Sequence, residues 1–353
     1  MIALPAAPPI SSRKSVRVRS NAGAVLGALL VAAVSVFACW VVGNRGMDIG
    51  TDTDVYAGFF LAMDAGVPET RLEPGFVYLT YALRQLGLSV TGYQAALFAL
   101  LLGAVAIATR HYYEYIDARR GYLTLLSAAL LLLFISPMFV NASINAIRQG
   151  LAAPLVFASL LCFHQRRWRL FLVYGAVATS LHTSSLMYLA CAPALLLSTR
   201  ALRVVAALAF VAYVSGVSMT VVRMASPTLY DTVMEYTASA FYEAGVRVDF
   251  AVFTIFWYAL AQLLTLLVKK PFRQRIADST SVYLVMVLPF FIVGWGYFSN
   301  RYLLPGWLAV SLILGAIVWH NRVPMVRNPL LIRLGLLASC VVFYFYVKLA
   351  VVI

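Results

Sequence analysis

Residues 143–151 read SINAIRQGL and set Arg148 beside Asn145 and Gln149 in the middle of a very apolar chain. A guanidinium at the centre of a membrane helix costs about 2.5–3.5 kcal/mol on insertion scales, so an arginine kept there needs a compensating role. Its planar fork of donors stays charged in a partly desolvated cleft and matches phosphate or carboxylate oxygens two at a time. Other stretches carry groups that could work with it. GNRGMDIGTDTDVYAGFF holds Arg45, Asp52, Asp54 and Tyr56, EPGF holds Glu73, TSLHTSS holds His182, and SNRYLLPGW holds Arg301 and Tyr302. Cations that hold an anion, together with carboxylates or an imidazole that can take a proton, are the parts needed to transfer a group away from an anionic leaving group.

The elements that position these residues follow from composition. With 63% hydrophobic and only 11% charged residues in 353 positions, the chain cannot be a soluble globule and is read as an all-α, polytopic membrane protein. Eleven apolar runs, at about 22–42, 91–109, 121–140, 142–163, 168–182, 184–198, 201–218, 250–268, 281–298, 302–320 and 331–352, approach the ~20 residues a crossing helix needs. The stretch 75–89 is interrupted by Arg84 and Gln85 and is expected to be an interfacial or re-entrant helix. Leaving it out puts the strongly basic connections on one side, and these hold nineteen of the 27 lysines and arginines. The positive-inside rule makes that side cytoplasmic, with the N-terminus on it and the C-terminus outside. The net charge of +14 then reports orientation and contact with anionic lipid rather than nucleic acid. Residues 1–20 are expected to be a disordered cytoplasmic tail and 21–353 a single transmembrane domain with outer loops at 43–75 and 219–249. The four cysteines lie in apolar runs without metal-ligand spacing and read as small buried hydrophobes.

On this map most of the acids and the remaining arginines face outward. Asn141, Asn145, Arg148 and Gln149 fall at i, i+4, i+7 and i+8, one polar stripe at the outer rim of a helix, facing a wet cavity. The competing reading of any one outer arginine is a side chain that snorkels to lipid headgroups or caps a neighbouring helix. Several at one depth favour an anion site. His182 lies at a similar depth, as either a turn residue or a site residue. Tyr302 is either a belt aromatic or a sugar-stacking surface. The D-x-D triplet Asp52–Asp54 resembles a divalent-metal motif, but no Gly-rich phosphate cradle accompanies it, so no metal site is assigned. The second outer loop, with Tyr230, Tyr236, Phe241 and Tyr242 among acids, reads as a glycan-stacking lid or as an amphipathic interfacial helix.

Five ordered patches, NRGMDIGTDTDVY (44–56), EPGF (73–76), NAIRQGLA (145–152), LHTSSL (181–186) and NRYL (300–303), resemble the EpsG-type exopolysaccharide and O-antigen polymerases, also described as Wzy-like. The resemblance implies a GT-C-like glycan polymerase in the bacterial inner membrane that joins repeat units carried on undecaprenyl diphosphate at the periplasmic face. It also implies Arg45, Asp52, Tyr56, Glu73, Arg148, Gln149, His182 and Arg301 as site residues. Implied partners are the lipid-linked donor and acceptor, membrane lipids, a chain-length regulator and a flippase; no cofactor is implied. The expected mechanism has Arg148 and Arg301, with Arg45, on the diphosphate. Asp52 is the expected base, with His182 and Glu73 as the other catalytic groups and Asp54, Tyr56, Asn145, Gln149 and Tyr302 around the substrate. The competing functions are a glycosyltransferase using polyprenyl-phosphate sugars and a lipid-linked oligosaccharide flippase. The absence of an internal repeat in the sequence argues against the flippase.

Overall fold

A computed structural model describes residues 11–234 and 244–350, and all regular structure among them is helical apart from one isolated bridge, Val268 to Asn321. In chain order the first half holds α1 (Ser11–Gly43), α2 (Thr53–Ala62), α3 (Pro74–Gln85), α4 (Val90–Tyr115), α5 (Tyr122–Phe134), α6 (Pro137–Ile144), α7 (Ile147–His164) and α8 (Trp168–Leu181). The second half holds α9 (Ser185–Ala190), α10 (Thr199–Val214), α11 (Val217–Ala225), α12 (Pro227–Met234), α13 (Val248–Leu264), α14 (Lys270–Val293), α15 (Leu304–Trp319) and α16 (Pro329–Lys348).

Two helices form the centre. In α7 89% of the span is buried and in α14 83%, whereas the spans of α1, α13 and α16 are only 22–33% buried and turn apolar side chains outward. This is the pattern of a bundle in lipid, where an outward leucine has no reason to hide and packing rather than water exclusion selects the interior. Small residues let the neighbours of α7 approach it: Gly150, Ala152, Ala153 and Ala158 are all buried, and α4, α8 and α15 pack around them.

Among the described residues six helices are long and apolar enough to cross a membrane, and up to eight spans result if each of two sharply bent pairs counts as one. The pairs are α5 with α6, bent by 84°, and α10 with α11, bent by 88°. The first bend has a covalent cause, because Pro137 lacks an amide proton and pushes Ser136 out of the helical region, to ψ 119°. The expected runs at 168–182 and 302–320 form helices of 14 and 16 residues. The run at 184–198 breaks after the six residues of α9 into a 3₁₀ turn beginning at Ala192, just before Pro193. Run length therefore overstated helix length: an apolar sequence can fold as short, broken helices inside the protein as readily as one span. The helix of α3 has 12 residues, too few for the ~30 Å hydrocarbon core. Helix α1 begins at Ser11, so the second half of the expected tail 1–20 is helical, and its first half lies outside the described residues.

The polar stripe is corrected more sharply. Asn141 belongs to α6 and Arg148 and Gln149 to α7, because the helix stops at Asn145 and Ala146 and restarts at Ile147. The cost of the interruption is offset by side-chain work: Asn145 Oδ1 accepts from the Thr51 amide at 2.8 Å, and its Nδ2 donates to Asn141 Oδ1 at 3.1 Å. Breaking the helix thus turns Asn145 into an anchor for the first long loop.

The bundle has two chemically different ends. Helix α7 runs from Arg148 to His164, whose ring meets Tyr115 at the far end of α4. At that far end the loops after α4 and α7, the start of α14 and the connection between α15 and α16 gather the basic residues. Helix α1 finishes at the opposite end, where the first loop begins, and the bond from Arg333 to the Gly23 carbonyl aligns the early part of α16 with α1, so α16 finishes toward that end too.

Candidate active site

Glu73 is the hub of this opposite end. It caps α3 in extended backbone (φ −65°, ψ 138°) ahead of Pro74, so the carboxylate leaves the helix sideways toward α7 and α8. Gly75 makes the approach possible. A Cβ there would fall 2.6 Å from the Ser180 carbonyl oxygen and 2.5 Å from its hydroxyl, so only glycine lets the start of α3 lie against the end of α8.

This contact brings three groups to one carboxylate. His182 Nδ1 lies 2.8 Å from Glu73 Oε1, the Thr183 amide donates to the same oxygen at 3.0 Å, and the Thr183 hydroxyl donates at 3.3 Å. Arg148 Nη1 forms a short ion pair with the other oxygen, Oε2. Glu73 is buried, while Arg148 and His182 each keep 22% of their side chains exposed. Burial alone would raise the Glu73 carboxyl, but the His182 bond, the Thr183 amide and the Arg148 charge together hold it well below the usual carboxylate range. An ionised carboxylate can only accept, so His182 carries its proton on Nδ1. In the neutral imidazole Nε2 is then the acceptor nitrogen, and among the described residues it has no protein partner.

Arg148 reaches further. Its Nε donates to the Tyr56 hydroxyl at 3.1 Å, and among the described residues Nη2 has no protein partner. Burial and, to a lesser extent, the Asp52 charge push the Tyr56 hydroxyl up, opposed by the charge and hydrogen bond of Arg148 and, most weakly, by the charge of Arg301. Arg301 therefore stands within electrostatic reach of the same point. It is held there through its backbone, whose carbonyl accepts from Gln149 Nε2, while the guanidinium lies 4.2 Å above the Phe298 ring. The next carbonyl, that of Tyr302, accepts from the buried Tyr188 hydroxyl at 3.0 Å.

Other expected site residues are placed differently. Arg45 is buried and turned inward, donating to the Val42 carbonyl at 2.7 Å and to Thr53 Oγ1 at 3.3 Å, and burial lowers it to about 10. Asp52 stands at the N-cap position of α2 without a side-chain cap bond, and its carboxylate accepts from Thr51 Oγ1 at 3.3 Å rather than from an arginine. Asp54 is exposed in the first turn of α2 and accepts from the Val55 amide at 2.8 Å. From the second long loop, Tyr230 stacks on Trp295 at 5.1 Å, while Tyr236, Phe241 and Tyr242 lie outside the described residues.

A cavity of about 630 Å³ begins at Glu73 and Thr183 and runs along α8 past Thr179, Gly175 and Phe171, with mostly apolar walls. Sequence reasoning found Glu73, Arg148 and His182 singly but missed Thr183 as a ligand of Glu73 and Gly75 as the residue that closes the gap. The quoted patches EPGF and LHTSSL contained both, but nothing in either shows that they touch.

No curated protein and no solved structure gives a significant match to this sequence. A family model does: it aligns with residues 28–353, all of the chain that carries the described site, and on that match the chain belongs to the EpsG family.

Proposed function

We propose that the protein is a polysaccharide polymerase that joins undecaprenyl-diphosphate-linked repeat units at the periplasmic face of the bacterial inner membrane, in exopolysaccharide or O-antigen synthesis. The observation that carries this reading is the convergence of an oriented histidine and an uncommitted arginine edge on one carboxylate, at the mouth of an apolar groove. Family membership supports the general class. The basic end of the bundle faces the cytoplasm on this reading, with the Glu73 end outside. The short helices α8, α9 and α15 then complete about eleven membrane-embedded segments in a GT-C-like frame.

In the reaction, an acceptor hydroxyl attacks the anomeric carbon of the donor while the bond to the diphosphate breaks. His182 Nε2 takes the hydroxyl proton, and Glu73 orients the imidazole and stabilises its charged form, a carboxylate–histidine pairing worth roughly 10²–10⁴-fold as general base. Glu73 itself is a weak base because it is held so firmly ionised. Arg148 Nη2 and Arg301 receive the negative charge that develops on the departing diphosphate. Tyr56 and Gln149 hold those arginines in place, Arg45 and Asn145 pin the loop, and the groove along α8 takes the carrier's hydrocarbon tail. Asp52, Asp54 and Tyr302 border the acceptor side. No step requires a metal ion.

The test is reconstitution of the full chain in lipid nanodiscs with a synthetic undecaprenyl-diphosphate oligosaccharide. Formation of dimers and longer ladders is the expected result. Turnover of a polyprenyl-monophosphate sugar instead, or movement of the intact lipid across a vesicle membrane without new glycosidic bonds, would overturn the assignment.

A further inference from the structure

At the basic end, far from Glu73, a cavity of about 830 Å³ lies between the loop that follows α4, the start of α14 and the connection from α15 to α16. Arg119, Arg120, Lys269, Arg275 and Arg327 line it against one carboxylate, Asp117. That carboxylate is already matched, since Arg275 Nη1 stands 3.1 Å from its Oδ2. The remaining four cations form no ion pair among the described residues.

Three further features favour an anion here. The first residues of α14 and α16 form part of the wall, so the positive ends of two helices add to the side-chain charge. Trp319 Nε1 and His320 Nε2, on two lining residues, are buried donors or acceptors with no protein partner among the described residues. An unmet buried polar atom is costly unless a ligand or water satisfies it. The aromatic wall is also built firmly: His320 packs on Phe272 at 3.9 Å, and Gly121, at φ 88°, leaves room for the Trp319 ring, which a Cβ would meet at 2.4 Å.

From these we infer a second anion site, independent of the Glu73 cluster, that takes a ligand bearing one or two phosphate groups. Cations and helix ends recognise the phosphates, and the Trp319–Phe272 wall covers the apolar part beside them. The same chemistry is offered by an anionic phospholipid headgroup and by a soluble phosphorylated molecule.

Both sources can be tested on the full chain in detergent. Native mass spectrometry after adding cardiolipin or phosphatidylcholine, and calorimetry with inorganic diphosphate, compare wild type with an Arg119→Gln, Arg120→Gln, Arg327→Gln triple variant. At least tenfold weaker binding of cardiolipin by the variant, with phosphatidylcholine unaffected, supports a lipid headgroup. The same loss for diphosphate but not cardiolipin supports a soluble ligand. A second measurement does not depend on the triple variant folding. In wild type a brominated phosphatidylglycerol, or diphosphate itself, should alter the emission assigned to Trp319 by difference from Trp319→Phe, and 0.5 M salt should suppress the change. Equal binding of neutral and anionic lipid without a diphosphate effect, or no change at Trp319 with either phosphate source, overturns the site.

Discussion

Both ends of the bundle are rich in arginine, but they use it in opposite ways. At the Glu73 end the central cation has a fixed direction: Arg148 is held between Tyr56 and Glu73, and a single carboxylate organises a histidine, a threonine and an arginine. At the other end cations outnumber carboxylates, several are exposed, and they surround a space rather than a partner. The first arrangement suits chemistry, which needs atoms placed to a fraction of an ångström, and the second suits attraction, which needs only charge of one sign. Arginine count alone cannot distinguish the two; the presence of a buried organising acid can.

Substitutions at the two ends should separate them. The largest effect is expected for His182→Ala, which removes the proposed base and should lower polymerisation by roughly 10²–10⁴-fold in a purified assay while the protein stays folded. Near-normal ladders from this variant would return the role of base to Asp52. Arg148→Lys should cost roughly 10²-fold, because an ammonium cannot serve Tyr56, Glu73 and a phosphate at once. Arg120→Lys at the other end should bind phosphate almost as wild type does. If both lysine variants behave alike, the contrast between the ends is lost.

Smaller effects test the framework. Gly75→Ala should destabilise by about 1–3 kcal/mol in thermal unfolding, as expected of overpacking, and Ser180→Ala should not rescue it because the obstructing Ser180 carbonyl remains. Glu73 also predicts an acid limit. Its carboxyl is lowered on folding, so its ionisation stabilises the fold fully above the unfolded carboxylate range near ~4.3, and the gain fades as pH falls below it. Between about pH 5 and pH 3 the wild type should therefore lose more thermal stability than Glu73→Gln. The smallest effect is expected for Asp52→Asn, under roughly tenfold in rate, since this carboxylate meets neither Arg148 nor His182.

Much of this is legible in the residues alone. Composition and the length of the apolar runs were enough for an all-helical membrane protein, because repeated runs near ~20 apolar residues read as crossing helices. Arg148 stood out because a charge in an apolar run is costly and needs a reason, and Glu73 and His182 stood out through the patches EPGF and LHTSSL. Their association was not legible. Glu73 is separated from Arg148 by 75 positions and from His182 by 109, and local patterning carries no information over such distances. The stripe from Asn141 to Gln149 misled for a related reason. Helical periodicity assumes an unbroken helix, whereas a tertiary bond from Thr51 rewards stopping it at Asn145. Helix length was overstated similarly, since apolar residues inside a protein and apolar residues against lipid look identical in one dimension.

The separation of Glu73 from its partners has a consequence for biogenesis. The chain emerges from its N-terminus, so Glu73 is made well before Arg148 and His182. Buried at once, it would be a lone carboxylate in an apolar setting, a cost of several kcal/mol. Helix α3 avoids this by being too short to cross: it can wait at the membrane surface with its acid in water until α8 has been inserted. Docking of α3 on Ser180 is then the late step that both completes the site and checks that α7 and α8 are in place. A chain truncated before His182 should accordingly leave a cysteine at position 73 open to aqueous thiol reagents, while the same cysteine in the full chain is protected.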